Sequence, residues 1–288
     1  MITAIVRSLS RARALALAAV IVIAASAPAR AQSVYLFAPV NQYGINLTAA
    51  YWNPILRYVS EKSGVKLALK VGRTSADTIS YVLAREVEFA FANQLFTPER
   101  EKLGWKVFGS RDLPPIRGQI VVPADSPVSE LTQLAGQEVA FAGPEAVVGY
   151  KLTYAHLLSK GINVNVVFGG NHDGAFSQLF SGKVKAAGGV SALVEGYAQR
   201  EGRRFRVLWS SEPMHDLPLM VAPQVPPKDV RAVADAFFGM AGDPQGQEVL
   251  RKASAVVGLP LETRFVPSDG SEYDSYRRFY RSAPASLR

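Results

Sequence analysis

Cysteine is absent from all 288 residues, so no disulfide, thiolate nucleophile or thiolate-held metal can contribute to this protein. Histidine is scarce: His156, His172 and His215 are scattered, without metal-ligand spacing, and neither a metal site nor a cofactor is expected. Motifs that announce catalysis or nucleotide chemistry are missing as well. There is no Gly-x-Ser-x-Gly turn, no Walker phosphate loop and no Gly-x-Gly-x-x-Gly fingerprint. The adjacent His172-Asp173 pair cannot by itself form a chain of nucleophile, base and orienting group. An enzyme is therefore not expected. Nor is a nucleic-acid surface, because no basic run is interleaved with aromatic residues.

Long hydrophobic runs are limited to one, and it is short. Arg7, Arg11 and Arg13 precede an apolar stretch from Ala14 to Ala27, and Ala29-Arg30-Ala31 forms an Ala-x-Ala cleavage signal. The stretch falls below the ~20 residues that cross a bilayer, so residues 1–31 read as a cleaved signal peptide rather than an anchor. With no cysteine to carry a lipid, the mature chain from Gln32 is expected to be a soluble, monomeric periplasmic protein. The leader holds four of the 32 basic residues and no acidic one, so the formal charge falls from +8 to +4 on its removal. A field that mild suits an anionic ligand.

What remains alternates between strand and helix signals. Val34 to Ala38 is an apolar run, and Thr48 to Ser63 carries Trp52, Ile55, Leu56 and Val59 at helical spacing before Gly64. Val65 to Val71 reads as a strand, Ala76 to Arg85 as a helix, and Glu88 to Ala92 as a buried strand. Pro114-Pro115 breaks the chain. A second unit then follows, with strands 118–123, 138–141, 165–168 and 184–188 and helices 149–159 and 174–181. After a strand at 206–209 and a Pro-rich stretch, Pro213 to Pro227, the C-terminal part reads as mostly helical, with helices at 228–240 and 245–255. Two βαβ units joined by two extended crossings predict an α/β fold of two lobes with a ligand cleft between them, joined by a two-strand hinge. The expected organisation is residues 32–117 for lobe 1, 118–221 for lobe 2, and 222–288 returning to lobe 1. A single doubly wound sheet with a helical extension is the alternative.

Several segments together resemble the periplasmic phosphate/phosphite/phosphonate-binding proteins of ABC importers. They are Trp52-Asn-Pro-Ile-Leu-Arg-Tyr-Val-Ser-Glu-Lys-Ser-Gly64, Val87-Glu-Phe-Ala-Phe91, Gly143-Pro144 with Gly149-Tyr150, His172-Asp173, Val207-Leu-Trp-Ser-Ser211, and Phe265-Val-Pro-Ser-Asp-Gly-Ser-Glu-Tyr-Asp274. The resemblance implies the type II periplasmic binding-protein fold and a solute-binding protein that serves an inner-membrane ABC permease. A ligand-sensing subunit docked on a membrane histidine kinase is the alternative. The ligand loop departs from the family. Ala146, Val147, Val148 and Gly149 stand where the resemblance implies a Ser-Thr-Ser-Gly turn, and Ala92 stands where a tyrosine is implied. Ala192 falls where some members place an acidic residue, and Leu217-Pro218 replaces an Asp-Pro, with Asp216 one place early.

The candidate ligand residues follow from strand ends and from the resemblance. In Phe141-Ala-Gly-Pro-Glu-Ala-Val-Val-Gly-Tyr150 a strand passes through a Gly-Pro turn into a helix, whose first N–H groups favour an anion. Residues 147–150 are expected to supply those groups, with Ala146 preceding them and the Tyr150 ring as a candidate wall of the cleft. Asn93 and Gln94 follow the third strand, Asn41 and Tyr43 the first, and Thr74 and Ser75 the second. His172 is expected to face the cleft, and Asp173 either to join it or to cap the next helix. With three side-chain hydroxyls lost from the turn, the expected ligand is smaller, less charged or more apolar than free phosphate or a simple phosphonate.

Overall fold

Val34–Pro39 forms the first strand, β1, of the chain, which the computed structural model describes from residue 34 to residue 288. The expected signal peptide lies outside the described residues. The strands that follow are β2 (Lys66–Leu69), β3 (Phe89–Phe91), β4 (Lys106–Arg111), β5 (Gly118–Pro123), β6 (Glu138–Phe141), β7 (Asn165–Phe168), β8 (Ala186–Val190), β9 (Phe205–Ser210), β10 (Pro218–Val221) and β11 (Phe265–Pro267). The helices are α1 (Ile45–Ser63), α2 (Ser75–Leu83), α3 (Pro98–Glu101), α4 (Thr153–Ser159), α5 (His172–Phe180), α6 (Ser191–Glu201), α7 (Pro227–Gly239), α8 (Pro244–Val257) and α9 (Asp274–Ser282).

Two separate sheets result, which rules out the single doubly wound alternative. The first has the order β11-β4-β10-β3-β1-β2 and the second β7-β6-β8-β5-β9. Within the first, β1 runs parallel to β2 and β3, while β10 inserts antiparallel between β3 and β4. Within the second, β6 is parallel to β7 and β8, and β5 is antiparallel to β8 and β9. The chain passes between the sheets twice, from β4 to β5 and from β9 to β10. Ile116 and Met214 pair antiparallel where these crossings meet, exchanging two backbone hydrogen bonds of 2.8 and 2.7 Å.

The first sheet is anchored by α1. Tyr51, Trp52, Ile55, Leu56, Tyr58 and Val59 are buried at three- and four-residue spacing, and the helix ends on Gly64 at φ 69°, a left-handed conformation that glycine adopts without penalty. Trp52 packs against Phe37 at 4.7 Å, Phe91 at 5.1 Å and Phe265 at 6.1 Å, so one side chain joins β1, β3 and β11.

Several elements depart from the sequence reading. The first helix starts at Ile45, one turn early, after Gly44 and without a side-chain cap. β4 and β10 were not anticipated, because β4 contains Gly109 and ends in a charged residue while β10 lies inside the Pro-rich stretch. β11 and α6 were also missed. The helix expected from Gly149 begins at Val147 with a wide π-helical turn, Val147–Leu152, before α4. α5 begins at His172 rather than Gly174; its cap is Asn171, whose side chain accepts from Gly174 N at 2.9 Å, and not Asp173.

Close packing beneath the second sheet depends on a glycine in β8. A Cβ at Gly188 would lie 2.4 Å from Phe141 Cδ1 and 2.5 Å from the Gly149 carbonyl oxygen, a ring and a backbone that cannot both retreat. Gly188→Ala is therefore expected to lower stability by about 1–3 kcal/mol, as overpacked cores do, in urea unfolding. An unchanged midpoint would contradict this packing.

Candidate ligand-binding site

The carboxyl ends of β1, β3 and β6 feed loops that meet around a cavity between the sheets. Its volume is about 30 Å3, space for about two water-sized groups. Ala142, Val147, Val148 and Val190 supply an apolar wall from the second sheet; Val40, Ile116 and Leu217 supply the rest from the first loop and the crossings. The polar groups are Asn41, Gln42, Ser75, Asn93, Gln94 and His172. Of the sequence-predicted residues, the cavity brings together Asn93, Gln94, Ala146, Val147, Val148, Gly149, His172, Asn41 and Ser75. Tyr43, Thr74, Tyr150 and Asp173 lie outside its wall, as does Ala192 in the first turn of α6.

The turn after β6 holds the backbone that can receive an anion. The N–H groups of Tyr150 and Lys151 both donate to the Ala146 carbonyl, at 3.1 and 3.0 Å. Those of Val147, Val148 and Gly149 precede any intrahelical acceptor and are left for another partner. Tyr150 is thus spent on the helix, and its ring points elsewhere: it meets Phe141 edge-on at 4.9 Å and Phe168 at 5.1 Å and stacks on Tyr154. Gly149 lies so close to His172 that a Cβ there would be 2.5 Å from Nε2. Glycine at this position lets the imidazole lie against the turn.

His172 is 6% exposed, and neither ring nitrogen has a hydrogen-bond partner of good geometry. Burial pushes its pKa down to about 4, with the Gln42 backbone as the opposing influence, so the ring is neutral at pH 7. The Tyr43 hydroxyl is also buried without a partner, and burial raises its pKa. Asn41 is instead held at both ends: it donates to the Gly72 carbonyl at 2.8 Å and accepts from Thr78 Oγ1 at 2.5 Å. Thr74 caps α2 in a reciprocal box with Asp77. His156 is stacked on Trp209 at 4.1 Å, away from the cavity.

Contacts across the cleft hold the two sheets' loops together. Ser75 N donates to the Gly170 carbonyl at 3.1 Å, and Gly44 N to Asp173 Oδ2 at 3.4 Å, while Asp173 also accepts from Arg200 at 2.7 Å. Arg100 forks onto both carboxylate oxygens of Glu145, at 2.7 and 3.1 Å, and Lys151 Nζ lies 3.7 Å from the same group. Burial raises the Glu145 pKa, but Arg100 and Lys151 more than offset it and hold the carboxylate below its ordinary range. Glu145 immediately precedes the ligand turn, so the same segment both closes the cleft and shapes its wall.

Sequence reasoning missed Gln42, Val40, Ile116, Ala142, Val190 and Leu217 in the wall, and Arg100, Glu145 and Arg111 around it. Gln42 had a signal, its place between Asn41 and Tyr43. Leu217 had one too, its place where the resemblance implies an Asp-Pro; Ile116 had none, because the crossings meet only when both passages between the sheets are formed. No group of three or more potential metal ligands occurs among the described residues.

The buried imidazole sets a pH dependence. Unfolding returns His172 to an ordinary value near 6.5, so below that pH the unfolded chain takes up a proton that the folded chain refuses. The folded state keeps its full stability above pH 6.5 and loses roughly 3 kcal/mol as the pH falls to about 4. In calorimetry of ligand-free protein, the melting temperature is expected to fall between pH 6.5 and pH 4.5, and His172→Gln to flatten that slope. Equal slopes would contradict a neutral buried ring.

Residues 37–273 match the family model described as ABC transporter, phosphonate, periplasmic substrate-binding protein. A binding protein component of an ABC phosphonate transporter from Pseudomonas aeruginosa is similar in structure, with a TM-score of 0.74 at 16% identity over 86% of this chain and 85% of that one. PhnD1 from Prochlorococcus marinus, solved with methylphosphonate, has a TM-score of 0.72 at 12% identity, covering 86% of this chain and 97% of its own. A Xanthomonas citri protein solved with chloride and with ATP has a TM-score of 0.64 at 17% identity over 88% of this chain and 97% of that one. At these identities the likeness carries the fold, the two-lobed type II periplasmic binding protein. No curated protein sequence matches the chain. The family model spans most of the chain and both sheets, and the protein belongs to the periplasmic substrate-binding proteins of the ABC phosphonate transporter family.

Proposed function

We propose that this protein, after loss of residues 1–31, is the periplasmic solute-binding subunit of an ABC importer that closes on a small ligand and presents the closed form to a membrane permease. The lobes divide by sheet: residues 34–111 with 218–288 carry the first and residues 118–210 the second, so that β10 falls in the first lobe and not in the expected 118–221, and the crossings joined by Ile116 and Met214 form the hinge. The observation that carries the reading is a cavity walled by both sheets and bridged by the Arg100–Glu145 fork, by Ser75 N on the Gly170 carbonyl and by Gly44 N on the Asp173 carboxylate. A ligand that fits only the closed cleft shifts the population toward it, and a permease that reads the closed form receives only loaded protein.

The wall's chemistry favours a singly charged, partly apolar ligand. Three N–H groups at the start of a helix attract negative charge. Against them stand a neutral histidine, no cationic side chain in the wall, and valines where hydroxyls would be needed for a tetrahedral dianion. Each buried acceptor oxygen left without a donor costs about 1–3 kcal/mol.

Titration calorimetry on the mature protein tests this. Formate and acetate, small anions with one charge each, are expected to bind at least tenfold more tightly than inorganic phosphate or methylphosphonate. Nanomolar phosphate or methylphosphonate binding would overturn the ligand class while leaving the transport role intact.

A further inference from the structure

The cavity wall is neutral, yet an arginine is buried directly behind it. Arg111 ends β4 and is 4% exposed. All three of its guanidinium nitrogens are committed. Nε donates to Asp216 Oδ2 at 2.7 Å, Nη1 to the Tyr51 hydroxyl at 3.4 Å, and Nη2 to Gln42 Oε1 at 3.1 Å. Its face lies over the Phe91 ring at 4.7 Å. Of these four partners, only Gln42 lines the cavity.

An amide carries its acceptor on one side and its donors on the other. A guanidinium that holds Oε1 therefore turns Nε2 away from itself, and the reverse orientation would set donor against donor. Nε2 of Gln42 makes no hydrogen bond to any group among the described residues. Asn41, its neighbour, is held at both ends of its amide by Gly72 and Thr78, whereas Gln42 is held only at Oε1 and keeps both Nε2 hydrogens to offer.

We propose that Arg111 is a positioning residue for ligand binding: anchored by Asp216, it fixes the Gln42 amide so that Nε2 is presented to the cavity as a donor for an acceptor oxygen of the ligand. The arrangement delivers the orienting power of a charge without placing the charge in the cavity. It also accounts for a costly feature, since a buried ion pair is weak support for stability and an apolar pair of similar size fills such a site as well. Asp216, one residue ahead of the cavity-lining Leu217, is spent on Arg111 and is not available to the ligand. The proposal rests on the reading of this cavity as the ligand site and adds Gln42 to it, in the same wall as Val147, Val148 and Gly149.

The test combines a readout that needs no ligand with one that does. Arg111→Met with Asp216→Leu removes both charges and leaves neither stranded; Arg111→Lys keeps the charge but not the fork. In nitrogen-15 NMR of the purified protein, the Gln42 side-chain amide signals are expected to shift and gain mobility in both variants. With acetate as the probe, the paired variant and Gln42→Leu are each expected to weaken binding about tenfold, and the triple variant no further than either, the non-additivity of groups acting through one contact. Additive losses, or Gln42 signals unchanged in position and relaxation, would overturn the proposal. Should acetate give no heat with the unaltered protein, the ligand class fails, and the NMR signals alone decide the role of Arg111.

Discussion

Burying charge is costly, and the closed cleft is organised so that every charge near it meets a partner before it leaves water. Glu145 is held by the Arg100 fork with Lys151 beside it, Asp173 by Arg200, and Asp216 by Arg111. None of these paired residues enters the cavity's wall. What the wall presents is amides, one neutral imidazole, backbone N–H groups and aliphatic carbon. The constraint runs outward to the fold, because each pair joins elements distant in sequence. Arg100 and Glu145 are 45 residues apart and join the two sheets' loops, while Arg111 and Asp216 are 105 apart and meet only once the chain has returned through the second crossing.

The same constraint separates this cleft from one built for a multiply charged oxyanion. In the resemblance that its sequence carries, the turn after β6 would supply hydroxyls; here Ala146, Val147 and Val148 supply none, and Val147 and Val148 are packed at 2% exposure. The helix start keeps its three free N–H groups, a modest attraction for one negative charge.

Much of this fold could be read from the sequence because periodicity reports burial. α1 declared itself through Trp52, Ile55, Leu56 and Val59, and β6 and β7 through short apolar runs bounded by turns. β4 did not, since its Gly109 lies where a Cβ would strike Phe238 at 2.8 Å, and its final residue is an arginine that is tolerated in the interior only through Asp216. β10 hid among prolines because Pro218 opens the strand. At the site, the Gly149–His172 contact was approachable from motif order, and the strand ends pointed to Asn93 and Gln94. Thr74 and Asp173 had plausible chemistry that the fold spends on a helix cap and on cross-cleft bonds. Arg111, Arg100 and Glu145 were invisible, because nothing local marks a charge whose partner lies tens of residues away.

The central claim is that two lobes, hinged at Ile116 and Met214, close on a ligand in the cavity between them. With no native cysteine, two introduced ones at exposed Lys102 and Lys183, one on each side of the cleft, can carry spin labels without interference. Pulsed electron resonance between them should give a broad distribution of longer distances for the ligand-free protein and a narrow, shorter one on saturation with the tightest-binding anion. Identical distributions in both conditions would contradict closure as the basis of function.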